Sequence, residues 1–164
     1  MRKIRKIRRR LLSVLLFACL ALGTLTASAE EYEVGSVVDG SVLTHELSAE
    51  GIAYPRLRGT YFGSGSGNIS ITGPRSVMIT GSTTARQVSD SVKVTVHLQQ
   101  LKNGSWVTIA SYGPVTKYNN YYVSTSRTYS VTGGYYYRMS GGHTVIENGV
   151  FESATSKTNG VWVS

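Results

Sequence analysis

Three histidines, His45, His97 and His143, and nine carboxylates are the side chains best suited to acid–base chemistry in this chain of 164 residues. A Ser- or Cys-based hydrolase needs its nucleophile beside a His and an orienting carboxylate. No His here lies near a nucleophile elbow of the Gly-x-Ser-x-Gly kind. The stretch Gly63-Ser64-Gly65-Ser66-Gly67 has the glycines of a phosphate cradle but lacks its Lys and the helix that would follow, so it reads as a hairpin loop. Glycosidases work with two carboxylates across a cleft. Glu147 and Glu152 would be diagonal neighbours on one hairpin, on a solvent face turned away from Ile146 and Phe151. That pair is the basis of an alternative reading, a small glycosidase-like hydrolase. The histidines are about fifty residues apart and the acids scattered, so no metal, no cofactor and no catalytic residue is expected.

The aromatics offer a different chemistry. Trp106, Tyr118, Tyr121, Tyr122 and Trp162 are candidates for stacking against sugar rings or a partner's side chains, since Tyr and Trp pair a large apolar area with a polar tip. The bland alternative is that they fill the interior of a domain with no disulfide to hold it.

Short alternating runs separated by turn residues must position these groups. The firmest is Val92, Val94, Val96, Leu98, with Lys93, Thr95 and His97 turned the other way. Asn103-Gly104 then predicts a two-residue type I′ hairpin into Trp106 to Tyr112. In that register Leu98 faces Ile109 and Gln100 faces Val107 on the inside, while Leu101 pairs with Trp106 outside. Lys93, turned outward, is a poor donor for a buried isopeptide bond. Strands are also expected over Leu57 to Phe62, Asn68 to Thr72, Val77 to Thr84, Tyr129 to Thr132, Tyr135 to Met139 and Val161 to Val163. A second hairpin, Thr144 to Glu147 with Val150 to Ala154, turns at Asn148-Gly149. Lys117 to Tyr122 reads as a connection. Eight or nine strands without a helix imply an all-β fold of two stacked antiparallel sheets, an immunoglobulin-like or fibronectin-type-III-like sandwich.

The first 29 residues carry the remaining signal. Seven of the 17 Lys and Arg residues lie between Arg2 and Arg10, followed by an apolar run from Leu11 to Leu22 and the small-x-small end Ala27-Ser28-Ala29. This is the pattern of a secretory signal peptide cleaved between Ala29 and Glu30. Gly23, Thr24, Thr26 and Ser28 dilute the run, which favours cleavage over a retained anchor. The formal charge of +8 then falls to +1, too little to hold a nucleic acid. Contact with a membrane is expected only through the uncleaved leader. Cys19 is the only cysteine and lies in the leader, so the exported part can form no disulfide. The expected organisation is a signal peptide over 1–29, a lead-in over 30–53 and a sandwich domain over 54–164.

Gly134 to Met139 resembles the penultimate strand of immunoglobulin-like and fibronectin-like sandwiches, with Tyr135 where a tyrosine bonds back to the backbone. Arg58-Gly59-Thr60-Tyr61, Gly81 to Ala85, Val94 to Leu101 with Gly104 to Val107, Gly134 to Arg138, His143 and Glu152 together resemble a family of small secreted proteins from Gram-positive bacteria, a domain of unknown function. That resemblance implies a secreted β-rich domain and carries no catalytic residues. The expectation is a secreted, non-catalytic module that binds a cell-wall or environmental glycan or a surface protein. A purely structural or self-associating surface protein is the third reading, and the sequence leaves the oligomeric state open.

Overall fold

The computed structural model describes residues 38–55 and 59–164. The expected leader, its Ala29–Glu30 cleavage point and the first part of the lead-in lie outside these residues. So do Leu57 and Arg58 of the expected first strand.

Eight strands and no helix make up the described chain: β1 (Leu43–Thr44), β2 (Ser48–Ala53), β3 (Phe62–Gly73), β4 (Ser76–Lys102), β5 (Ser105–Ser130), β6 (Tyr135–Glu147), β7 (Val150–Lys157) and β8 (Gly160–Val163). No helix among the described residues is long and apolar enough to cross a membrane. The all-β class read from the sequence is observed. The strands form one hydrogen-bonded sheet in the order β1-β8-β6-β4-β3-β2, with β5 alongside β4 and β7 alongside β6. Only the β1–β8 pair is parallel.

A single sheet replaces two separate ones because β4 and β5, 27 and 26 residues long, each run through both halves of the molecule. Ordinary strands have about 5–6 residues. The pairing of β4 with β5 jumps from Thr84↔Tyr122 to Ser89↔Asn120, which leaves four residues of β4 against one of β5. Such a bulge bends the strand and sharpens its twist. Before the bend Val77, Ile79, Thr83 and Ala85 point inward; after it Val92, Val94, Val96 and Leu98 do. The two halves of β4 then face each other, so closely that a methyl group on Gly81 would meet a Val96 methyl at 2.6 Å.

The core between these halves joins Ile69, Val77, Ile79, Val92, Val94, Val96, Leu98, Val123, Tyr137, Met139 and Val145, among others, all at 0–1% exposure. Each such aliphatic side chain contributes about 1.5–3 kcal/mol relative to exposure. With no cysteine beyond Cys19, this core is what holds the domain together.

Both Asn-Gly turns form as expected, with positive φ at Asn103, Gly104, Asn148 and Gly149. Leu101↔Trp106 and Gln100↔Val107 pair in the expected register, but Leu98 then faces Ala110 because β5 carries an extra residue. That bulge and the edge position of β5 leave Val107 and Ile109 exposed instead of inward. Gly63 to Gly67 is not a loop but part of β3. A Cβ on Gly65 would fall 2.3 Å from the His143 ring, and one on Gly67 would fall 2.4 Å from the Met139 sulfur. Glycine is there because β3 packs hard against β6. Lys117 to Tyr122, read as a connection, is strand within β5. The lead-in supplies β1 and β2. It is Tyr137, not Tyr135, whose hydroxyl donates back to the Thr132 carbonyl at 2.7 Å; Tyr135 is exposed.

Candidate functional site

From Ser91 to Leu101 every second residue of β4 lies on the face away from the core, Ser91 itself covered at 5% exposure, and the β4–β6 register keeps this alternation unbroken. The face so formed is built in rows across the strands. Phe151, Ile146, Ser91 and Tyr118 lie opposite one another on β7, β6, β4 and β5. At 4.8 Å per strand that row spans about 14 Å. Phe151 and Tyr118, at its ends, are 64% and 73% exposed. The next row is polar: Ser153, Thr144, Lys93 and Thr116. Further along, the His97 ring nitrogen Nδ1 pairs with the Ser111 hydroxyl at 2.7 Å, and Gln99 donates to the Thr108 hydroxyl at 3.2 Å.

At the far end stands Trp106, opposite Leu101. The Arg138 guanidinium lies over the Trp106 ring, 4.4 Å from its centroid. Arg138 is fixed there by donating from Nε to the Gln99 side-chain oxygen and from Nη1 to the Gly40 carbonyl. Burial lowers its pKa, and nearby Asp39 partly offsets that. A Cβ on Gly160 would strike the Trp106 ring, so only glycine lets β8 pass beneath it. Two residues on, Trp162 packs against Tyr136 at 4.9 Å and against His45 at 5.9 Å. The Tyr136 hydroxyl meets His45 Nε2 at 3.2 Å.

The five aromatics read from the sequence therefore divide. Trp106 and Tyr118 share the outer face of β4, ten residues apart along the strand, which is about 33 Å. Trp162 sits beside the Trp106 end. Tyr121 lies in the bend, and Tyr122 lies beyond it, opposite Thr84 in the other half of the sheet. Phe151 and Ile146 join the face, contrary to the expectation that they point inward. The side chains of Val145 and His143 occupy the interior, so alternation along β6 turns Ile146 out and takes Phe151 with it.

The same inversion leaves Glu147 and Glu152 diagonal on one face of the hairpin, as expected, but turns that face to the side of Val145 instead of to solvent. Glu152 pairs with Val145, and its carboxylate accepts the N–H groups of Thr60, Tyr61 and Phe62 at 2.8, 3.1 and 2.6 Å. Its partial burial, which would raise the pKa, is outweighed by these three bonds and by Arg86, so the carboxyl stays below its usual range. Glu147 accepts from the Asp90 N–H, and Asp90 in turn accepts from the Asn148 N–H. Each acid is committed to backbone N–H groups of a neighbouring segment.

His143, one of the residues that carry the family resemblance, lies in β6. It is 1% exposed, between the Thr83 hydroxyl at 2.9 Å and the Ser156 hydroxyl at 2.8 Å. The single Thr83 proton goes to the Lys93 carbonyl, so Thr83 accepts from Nδ1–H and Ser156 donates to Nε2. A serine hydroxyl on a histidine nitrogen is the arrangement of a nucleophile and its base. Here no carboxylate orients the ring, and Thr83 and Ser156 are as buried as it is, so no substrate reaches them. Burial pushes the His143 pKa down to about 4. Among the described residues no group of three or more His, Cys, Asp or Glu could hold a metal ion.

The fold and its outer face define a small all-β domain with a long, largely polar strand face that has aromatic side chains at its ends. Residues 30–161 match the Family of unknown function (DUF6147), and the chain belongs to that family. Comparison with curated proteins finds no match. Among solved structures, the sporulation control protein Spo0M from Bacillus subtilis is similar over 71% of this chain and 50% of that chain, at 11% identity and a TM-score of 0.35. The chain thus spans about half the length of that protein.

Proposed function

We propose that this protein is an exported, non-catalytic binding domain of a Gram-positive bacterium, which holds an extended cell-wall or environmental glycan along the outer face of β4. The observation that carries this reading is the placement of Trp106 and Tyr118 at opposite ends of one strand face, with hydroxyl and amide side chains between them. The exposed Tyr118 ring supplies stacking area at one end, Trp106 between Arg138 and β8 closes the other, and the polar middle supplies directed hydrogen bonds, which is what a hydroxyl-rich chain requires. A scaffold of sandwich character, of the immunoglobulin-like or fibronectin-like kind, suits such a role because its face is wide and stiff. The basic, apolar and small-residue succession of the first 29 residues supports export, and the clasped Glu147 and Glu152 support a non-catalytic role.

Cosedimentation with purified cell-wall polysaccharide tests it. Tyr118→Ala and Trp106→Phe should each weaken binding about tenfold, equivalent to roughly 1.4 kcal/mol, and the double variant should weaken it further. Unchanged binding by a double variant that keeps the parent melting temperature would overturn the reading.

A further inference from the structure

The polar row of the face is more specific than its hydroxyls alone. Lys93 stands at its centre, directly opposite Thr116 on β5 and directly opposite Thr144 on β6. Residues so paired have Cβ atoms about 5 Å apart, so one lysine and two threonines rise from adjacent positions of the same face. Its neighbours on the same face of β4 are Ser91 and Thr95, and its diagonal neighbours are Tyr118, Ile146 and Gly142. No carboxylate stands in any of these positions. The acids nearest this end, Asp90 and Glu147, are committed to the Asn148 turn. At the other end Asp39 serves the Ser41 N–H and lies near Arg138 and Lys157. A domain whose formal charge is close to neutral therefore presents a lysine flanked by hydroxyls in the middle of its binding face, with Lys157 the second lysine of that face, out on β7 opposite Ser140.

We infer that Thr116, Lys93 and Thr144 form a phosphate subsite, and that the polymer held along β4 is a phosphodiester-linked polyol rather than a neutral glycan. This rests on the binding face proposed above and names its ligand. A Lys ammonium is a compact point charge that meets a phosphate oxygen from any direction. The one Arg on the face, Arg138, already spends Nε and Nη1 on Gln99 and Gly40. Two threonine hydroxyls beside the ammonium can donate to further oxygens of the same phosphate. One such contact gives a shallow dependence of affinity on salt, unlike the steep one of a nucleic-acid binder.

Isothermal titration of the purified full chain with poly(glycerol phosphate), polygalacturonate and dextran decides the matter. Poly(glycerol phosphate) should bind most tightly, and Lys93→Gln should weaken it about tenfold. The variant should also flatten the salt dependence and leave the melting temperature unchanged. Thr116→Val with Thr144→Val should weaken the same ligand while retaining the salt dependence. Equal binding of all three polymers, or preference for polygalacturonate or dextran, would overturn the phosphate subsite and leave the glycan face standing. Wild-type affinity of Lys93→Gln for poly(glycerol phosphate) would also overturn it. Binding of none of the three, nor of whole wall polysaccharide, would overturn both readings.

Discussion

The guanidinium of Arg127 lies 3.6 Å from the centroid of the Tyr112 ring, although both residues belong to β5. Arg127 comes from the half of β5 paired with Ile79, and Tyr112 from the half paired with Val96. The contact therefore closes the side of the curled sheet along which β5 runs as an edge. Truncating Arg127 to Ala should lower stability by about 0.5–1 kcal/mol, the range for a partly exposed cation–π pair. Urea unfolding measures it, and Arg127→Lys should recover part of the loss. No loss in Arg127→Ala would show that the edge needs no such clasp.

His143 gives the domain an acid limit. Its folded pKa is about 4 against 6.5 for the free side chain, so between these values the unfolded chain binds the extra proton. The stability linked to this residue is intact above pH 6.5 and is lost as pH falls toward 4. For a shift of this size the loss is on the order of 3 kcal/mol. Urea midpoints at pH 7 and pH 4.5 should differ accordingly, and in His143→Gln the difference should shrink. An equal pH dependence in the variant would place the acid sensitivity elsewhere.

Gly65 and His143 should be energetically coupled. A Cβ on Gly65 would overlap the imidazole, so Gly65→Ala should cost about 1–3 kcal/mol by overpacking. In a His143→Ala background the added methyl finds room, and the same substitution should cost much less. A double-mutant cycle with no interaction energy would mean that β3 and β6 do not approach as described.

Glu152 is a turn clasp, and its removal should act on stability. Glu152→Ala leaves the Thr60, Tyr61 and Phe62 N–H groups without their acceptor and should cost about 1–2 kcal/mol. Because its folded pKa is depressed, this contribution is present above the ordinary carboxylate range and is lost below it, at lower pH than the His143 effect. Thermal melts of the variant at pH 7 and pH 3.5 check it. A variant that melts like the parent at pH 7 would contradict the clasp.

Much of this architecture was legible because period-two alternation and Asn-Gly turns act locally. Val92 to Leu98 fixed which way β4 faces, and the Leu101–Trp106 register followed from the turn that joins them. What escaped were consequences of distant contacts. The glycines of β3 look like a loop until the Met139 and His143 side chains that fill the space above them are known. Ile146 reads as inward from hydrophobicity alone because the inward residues of β6 include a histidine and a glycine, His143 and Gly141. The face along β4 was half visible. Its two aromatic ends were singled out, but only the long, unbroken alternation of β4 against β6 sets Trp106 and Tyr118 on one surface with Lys93 between them.

The most direct test is to map the amide shifts of the labelled protein while wall polysaccharide is titrated in. The account predicts changes along the outward residues of β4, from Ser91 to Leu101, and at their neighbours Tyr118, Thr116, Thr144 and Trp106, with the paired face of β2 and β3 silent. Changes confined to β2 and β3, or to the bend around Tyr121 and Tyr122, would contradict it.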